Sequence, residues 1–416
     1  MSKPNHHLVP AIGIRANRRE FLKAAAVLSV ATGFDPRVVC GGTPVTADTI
    51  IPGKDRRLIV HTTEPVVIET PLELLKGEGV TATPLVFVRN VQPAGETANL
   101  AAPSAMGWKL ELAGLLDRPQ SIDAGTLAAM PQVEHEMVLQ CSGNGRSLFA
   151  PAAPVKGTQW GRGGMANVSF AGVPLSSLLE RLGVKVSSEA RFLSAEGRDL
   201  PAEGEQDFEH SVPLEDALEK TFLALRMNGQ PLSAAHGGPL RLVTPGFYGT
   251  MQVKWLSRLR FDTSESNHTS QIPHYRTPRT PILPGEGFVP TYANSEPNWR
   301  MKIKSVILSP APKSKLTGAG VTVEGVAFND GESPIETVLV SGDRGQTWLP
   351  APLNVPKSPY AWYRWSLTLK MSPGGQQIWA RAIDRMGRTQ PFDGAVGWNP
   401  QGYTWNGMEK IDITVV

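Results

Sequence analysis

Residues 136–146 read Glu136-Met-Val-Leu-Gln-Cys-Ser-Gly-Asn-Gly-Arg146. A run with strand character delivers a cysteine to a short glycine turn, and an arginine follows. A cysteine at such a junction is open to a ligand, and the glycines let other groups approach the backbone closely. Taken alone, Cys141 is read equally well as a buried small residue or as a metal ligand. The chain's other cysteine is Cys40. Two cysteines cannot build a disulfide framework, a four-cysteine zinc site or a cysteine-held iron–sulfur cluster.

The length of 416 residues leaves room for two or three domains. Hydrophobic residues at 41% and charged residues at 19% mark a globular chain. With 41 Gly and 36 Pro, turns are frequent, which argues against a helical bundle. A formal charge of +3 is too weak for a nucleic-acid binder.

The N-terminus reads as an export signal. Asn17-Arg-Arg-Glu-Phe-Leu-Lys23 precedes a mildly apolar stretch from Ala24 to Phe34. The pattern resembles a twin-arginine signal, whose route exports folded proteins to the periplasm. The apolar stretch is too short to span a bilayer, so no membrane association is expected. Val45-Thr46-Ala47 offers small residues for cleavage, giving a signal over 1–47. Cutting there removes six basic and two acidic residues, taking the formal charge from +3 to −1. It also removes Cys40, leaving Cys141 without a disulfide partner in an oxidising compartment. Export after folding suits a protein that takes up a complex cofactor first, which points to a cysteine that ligates one.

Downstream, the pattern predicts an α+β domain over 48–300. An apolar strand from Pro84 to Val88 leads into Arg89-Asn90, and further strands are expected at Lys109–Leu112 and Glu136–Cys141. Helices are expected from Pro174 to Leu182 and from Pro213 to Lys220, each opening on proline. Leu240–Val243 and Gln252–Phe261 read as strands around a glycine turn. From about Met301 short alternating runs appear at Val306–Leu308, Val321–Val326, Thr337–Val340, Tyr363–Leu369, Ile378–Ala382 and Ile411–Val416. This spacing predicts an immunoglobulin-like β-sandwich over 301–416. The Pro-, Ser- and Asn-rich segment 263–300 is long for a passive linker and is expected to reach back over the first domain.

Several motifs occur in a fixed order: Phe87-Val-Arg-Asn90, Gln140-Cys-Ser-Gly-Asn144, Met227-Asn-Gly-Gln-Pro231, His236-Gly-Gly-Pro-Leu-Arg241, and Val253-Lys-Trp-Leu256. Individually, Arg89, His236, Arg241 and Lys254 could bind an anion or be solvated surface groups. As a series they resemble the sulfite oxidase family of molybdenum enzymes. Ser341-Gly-Asp-Arg-Gly-Gln-Thr-Trp348 and Ala382-Ile-Asp384 are similar to that family's C-terminal sandwich. The resemblance runs from about residue 80 to the end.

The resemblance implies a molybdopterin-binding domain followed by a sandwich that mediates homodimerisation. It places Cys141 as the thiolate ligand of a molybdenum that also binds one pterin dithiolene; a soft thiolate suits that metal. It assigns Arg89 and Arg146 to a substrate pocket, Tyr275 to the active-site tyrosine, and Trp160 and Lys156 to the pocket's surroundings. Arginine's planar fork suits an oxyanion. It assigns Phe87, Val88, Arg89, Asn90, Asp199, His236, Arg241, Gln252, Val253 and Lys254 to the pterin and its phosphate. The implied reaction is oxidation of sulfite to sulfate, with electrons passed singly to a separate c-type cytochrome. No Cys-X-X-Cys-His motif is present, and neither a haem nor a flavin domain is expected in this chain. Two positions depart from the pattern. Val91 stands where many members have histidine, and Gln401 in Trp398-Asn-Pro-Gln-Gly402 stands where animal members have a third pocket arginine.

Three other readings compete. One is the molybdenum subunit of a sulfane dehydrogenase in a thiosulfate-oxidising complex, acting on protein-bound sulfur. Another is a periplasmic methionine-sulfoxide reductase, which the sandwich argues against. The third is a cofactor-free binding protein.

Overall fold

The strand that leads to Cys141, Val133–Gln140, lies at the edge of an antiparallel sheet. Its pairing with Met165–Pro174 runs without a break from Val133↔Gly172 to Gln140↔Met165. Phe222–Met227 follows, and both Gln230–Pro231 and Arg241–Val243 pair with it. Side chains such as Leu139, Val168 and Phe170 form the core around this sheet, and Cys141 belongs to it. The computed structural model from which these elements are taken describes residues 45–92, 104–199, 204, 206–318 and 320–416. The expected signal up to Pro44, with Cys40, lies outside the described residues. Thr46 to Val416 forms one compact unit. Thr46 caps its first helix, Ala47–Ile50, and Ala47 is buried, so the boundary expected after Ala47 lies two residues inside the folded unit.

A second sheet has the order Gln120–Asp123, Lys109–Gly114, Arg258–Asp262, Phe192–Glu196, Glu209–Pro213, with one parallel pair. Two short helices contribute to the core that covers it. Leu175–Leu182 buries Leu175, Leu178 and Leu179 on one face, and ends at Gly183 in the left-handed region. Leu214–Lys220 buries Ala217. Both helices begin one residue after the expected prolines. Among the described residues, no helix is long and apolar enough to cross a membrane.

Two expected strands are corrected. Pro84 cannot donate to a ladder, and Thr83–Leu85 forms a 3-10 turn instead. The strand shrinks to Val88–Arg89, so Arg89 lies within it rather than after it. Likewise, residues 252–257 do not extend the strand Arg258–Asp262. Trp255 takes φ +50°, outside the extended region, and the Trp255 N–H bonds to the carbonyl of Gly237. The segment thereby leaves the sheet and lines a cavity described below.

The C-terminal part is a sandwich of two sheets. One is ordered Lys304–Ser309, Gly320–Phe328, Tyr363–Lys370, Leu353–Asn354; the other Lys315–Leu316, Glu409–Val415, Gly374–Asp384, Ile335–Ser341, Leu349–Ala351. Each of the six alternating runs read from the sequence falls in one of these strands, save that Val416 lies one residue beyond Glu409–Val415. The inner faces meet in a core that includes Val323, Val338, Trp365, Ile378 and Ile413. Residues 263–300 do reach back over the first domain. Gln271 Oε1 pairs with His210 Nδ1 at 2.7 Å, and Trp299 Nε1 donates to Ser211 O at 2.9 Å.

Within the sandwich, Gly325 sits where Trp365 crosses its strand. A Cβ added there would meet the Trp365 ring at 2.2 Å and Val306 O at 2.4 Å. Neither can withdraw without breaking the pairing of Gly320–Phe328 with its two neighbours. Gly325→Ala is expected to destabilise the fold by about 2 kcal/mol, the usual cost of overpacking a core. Denaturant unfolding measures it; an unchanged midpoint would contradict this packing.

Candidate active site

Cys141 is held by the ladder that precedes it. Its N–H donates to Gly164 O at 2.9 Å, extending the Val133–Gln140 pairing by one residue. The turn then closes with Asn144 N–H on Cys141 O at 3.0 Å, while Asn144 Oδ1 accepts from Gly164 N–H at 3.1 Å. Gly143 N–H points at the Cys141 sulfur, 3.4 Å away. The side chain is buried and faces a cavity.

Three segments form the cavity walls. Phe87 to Val91 come from the short strand Val88–Arg89 and its flanks. Ala235, His236 and Arg241 come from the glycine turn. Thr250 and Gln252 to Trp255 come from the segment that left its sheet. Asp199 and Cys141 join them, with Leu139, Phe208 and Gly249, so Phe87, Val88, Arg89, Asn90, Cys141, Asp199, His236, Arg241, Gln252, Val253 and Lys254 all line one space. Their side chains lie in separate stretches of sequence but converge here.

The remaining predicted residues, Arg146, Tyr275, Trp160 and Lys156, are not among those that line it. Arg146 is buried beyond the cysteine turn, and its Nη1 donates to Thr158 O at 3.0 Å. Room for it depends on glycine. A Cβ on Gly157 (φ +94°) would come within 2.6 Å of Arg146 Nη1, and one on Gly402 (φ +62°) within 2.6 Å of Arg146 Cγ. Tyr275 is buried, and its ring stacks on Tyr403 at 4.9 Å. Burial pushes the Tyr275 phenol up, and the nearby Arg89 and Arg146 guanidiniums pull it back. Trp160 is fully buried, edge-on to Phe87, and would touch a Cβ on Gly143. Lys156 is exposed, and only its backbone is fixed, through N–H to Pro400 O at 3.1 Å. Of the two departures, Val91 lines the cavity and packs on the adjoining core, while Gln401 Nε2 donates to Pro273 O at 3.0 Å.

Positive charge dominates this space. Among the described residues, Arg89, Arg146, His236, Arg241 and Lys254 form no salt bridge with a carboxylate. Lys254 Nζ donates instead to Asn90 Oδ1 and to Ala235 O. Burial, then the Arg241 charge, lowers Lys254; burial and the Lys54, Lys254 and Arg241 charges hold His236 well below its ordinary value. Burial raises Asp199 to about 7 against the pull of Lys254. Several buried polar atoms lack any partner: Arg89 Nη1, Arg241 Nε, Thr250 Oγ1 and Gln252 Oε1. Unpaired cations and orphaned polar atoms in one cavity fit a large polar anion, as a pterin phosphate is. Among the described residues, no three His, Cys, Asp or Glu side chains are placed to hold a metal ion. A metal at Cys141 would therefore draw its other ligands from a cofactor or solvent.

Two residues here carried no signal in the sequence. Lys54 lies in a turn-rich stretch ahead of the motif series, yet it bonds His236 Nε2. Tyr403 follows the Trp398–Gly402 stretch directly, and its ring stacks on Tyr275 and sits under the Arg146 guanidinium at 5.0 Å.

Residues 98–270 match the oxidoreductase molybdopterin binding domain, and 295–416 the Mo-co oxidoreductase dimerisation domain. Human mitochondrial sulfite oxidase is 30% identical over 376 residues, covering 88% of this chain and 67% of that one. The mitochondrial sulfite oxidase of Drosophila melanogaster is 29% identical, covering 85% and 62%. The NADH nitrate reductase of Solanum lycopersicum is 30% identical, covering 84% and 40%. The chain thus spans about two thirds of the length of the sulfite oxidases and less of the nitrate reductase. The sulfane dehydrogenase SoxCD from Paracoccus pantotrophus superimposes with a TM-score of 0.71 at 26% identity, over 92% of this chain and 95% of that one.

Burial lowers Lys54 to about 7, so the folded chain without a ligand sheds this proton far below the unfolded value of 10.5. Between those limits the unfolded state binds more protons, and stability rises with pH. Melting of the cofactor-free chain is expected to shift upward from pH 7 to 9.5, and less so once an anionic ligand holds the charge in place. A flat profile for the cofactor-free chain would contradict this burial.

Proposed function

Because the chain belongs to the sulfite oxidase family of molybdenum enzymes, we propose that it binds molybdenum–molybdopterin and oxidises sulfite to sulfate. The observation that carries this reading is the convergence of Cys141 and the unpaired basic groups on one cavity. Cys141 would ligate the metal, with the dithiolene beside it. Asn90, His236, Arg241 and Lys254 would hold the phosphate, and Phe87, Asp199, Gln252 and Val253 the pterin. When bound, the molybdenum supplies two-electron oxygen-atom transfer. Sulfite and water give sulfate, two electrons and two protons overall.

The chain's own part is binding and orientation. Arg89 and Arg146 carry charge that attracts a sulfur oxyanion. A unit charge pair at ~4 Å is worth about 4 kcal/mol at an effective dielectric of 20. Tyr275, kept protonated by burial, can donate a hydrogen bond to an oxygen of the substrate. We further assign electron exit to a separate c-type cytochrome, the sandwich to homodimerisation, and the N-terminal twin-arginine pattern to export into the periplasm. The match of residues 295–416 to a dimerisation domain supports the second of these.

A second reading is a sulfane dehydrogenase acting on protein-bound sulfur. Two observations favour it: the SoxCD likeness extends over nearly the whole of both chains, and Gln401 replaces the pocket arginine expected from animal members.

Metal analysis with a sulfite-dependent cytochrome c reduction assay on the loaded enzyme tests the choice. Sulfite turnover is expected; a molybdenum-replete protein inert toward free sulfite would overturn the first reading for the second. Cys141→Ser is expected to lose turnover while keeping its circular dichroism spectrum. Arg146→Gln loses a charged hydrogen-bonding group worth about 2 kcal/mol, or roughly a thirtyfold rise in KM for sulfite. An unchanged KM would remove Arg146 from the pocket.

A further inference from the structure

Lys54 faces the cavity's basic end from behind. It is 6% exposed, and its Nζ has three partners: Thr83 O at 2.9 Å, Val86 O at 2.6 Å and His236 Nε2 at 2.9 Å. An ammonium has three donors and no acceptor, so this geometry occupies each donor and makes Nε2 an acceptor. A neutral imidazole that accepts at Nε2 carries its proton on Nδ1. His236 lines the cavity, and Nδ1 is the ring nitrogen that Lys54 leaves available to a ligand there. The reverse arrangement would have neutral Lys54 accept from Nε2–H. Nδ1 would then be an acceptor, which an anion's oxygen repels. Burial brings Lys54 to about 7, so the two arrangements lie close in energy near neutrality and a bound anion selects between them.

The segment bearing Lys54 is built against the same wall. Lys54 N–H donates to Ile51 O at 3.1 Å, closing a turn after the helix Ala47–Ile50. Ala47 and Leu58, on either side, pack with Val88 and Ala235, which line the cavity. The stretch from Thr46 to Leu58 therefore closes the outside of the basic end, with Lys54 as its polar contact.

We propose that Lys54 is a positioning residue for the anionic end of the cofactor: it fixes His236 with Nδ1–H toward the ligand and adds a positive charge behind it. This rests on the molybdopterin reading above. No motif of the family series includes Lys54, and Lys54 itself is not among the residues lining the cavity, whereas His236 is.

The test uses the enzyme purified from a host that makes the cofactor. Lys54→Met removes the donors and the charge, and Lys54→Gln keeps an N–H donor without the charge. Pterin released by denaturation is quantified by fluorescence, and molybdenum by elemental analysis. Both variants are expected to lose pterin on dialysis about tenfold faster than wild type, the scale of losing one hydrogen bond to a charged group. Gln is expected to lie between Met and wild type. Histidine 15N NMR of the loaded wild type, with His236→Gln used for assignment, reads the tautomer without a Lys54 variant. A proton on Nδ1 is expected. A proton on Nε2, or retention by Lys54→Met equal to a fully loaded wild type, would overturn the proposal. Wild type without pterin or molybdenum would instead sink the cofactor reading, and the role of Lys54 with it.

Discussion

The structure is organised around buried positive charge that the protein does not neutralise. Lys54, Arg89, Arg146, Arg241 and Lys254 surround one region together with the neutral His236, and Asp199 is the carboxylate in the cavity wall. Removing a cation from water costs several kcal/mol unless a partner compensates. Here the compensation is mostly carbonyl dipoles: Thr83 and Val86 for Lys54, Ala235 for Lys254, the His236 carbonyl for Arg241 and Thr158 for Arg146. Neutral acceptors hold a guanidinium in place without discharging it, whereas burial makes the two lysines readier to give up a proton until an anion arrives. The field that remains is available to a ligand, and the ligand's binding energy becomes folding energy for the segments that hold these groups.

That constraint explains why the sandwich is joined so closely to the first domain. The sandwich's last loops reach the cysteine turn. Thr404 N–H donates to Ser142 O at 2.7 Å, and Trp398 Nε1 donates to Ala153 O at 3.0 Å. Tyr403 lies beneath Arg146, so a residue of the second domain fixes a guanidinium of the first. On the other side, Val138 N–H bonds to Tyr360 O, along the strand that leads to Cys141. Met165, Tyr248, Val306 and Phe328 fill the space between. A sandwich serving only to pair two copies would need none of these contacts at the site.

Sequence periodicity located the six longer sandwich strands and, to within one residue, the two longer helices, because alternation and leucine spacing report directly on which face is buried; it missed the short strands Lys315–Leu316, Leu349–Ala351 and Leu353–Asn354 and the first four residues of Gly374–Asp384. It failed where backbone conformation overrode side-chain pattern. The apolar run 84–88 reads as a strand, but Pro84 diverts it into a 3-10 turn. The run 252–261 reads as one strand, but Trp255 at φ +50° breaks it to line the cavity. The cavity residues themselves were legible only as a series of short motifs, since Arg89, Cys141, His236 and Lys254 have no common period. Lys54 and Tyr403 were not legible at all. A lysine among turn residues and a tyrosine after a glycine look like surface groups, and only the fold brings one to His236 and the other to Arg146.

The two departures bear on what the pocket can recognise. At the position of the expected third arginine, the Gln401 amide is engaged by Pro273 O, and Val91 is drawn toward the hydrophobic core. Neither supplies charge. What stands near Arg146 instead is the stacked pair of Tyr275 and Tyr403, two phenols that burial keeps neutral. The departures leave out a long-range attraction, and what stands beside Arg146 is a pair of short-range donors with an apolar ring surface. Charge alone then discriminates less among sulfur oxyanions, because Coulomb attraction depends on net charge while hydrogen bonds and ring contacts depend on position. On the proposed reading, such a pocket would select by how the substrate's oxygens and its remaining substituent fit against Arg89, Arg146 and the two rings. Such selection by fit serves a small oxyanion or sulfur presented on a larger carrier, which is why turnover of free sulfite by the loaded enzyme, rather than charge counting, separates the two readings.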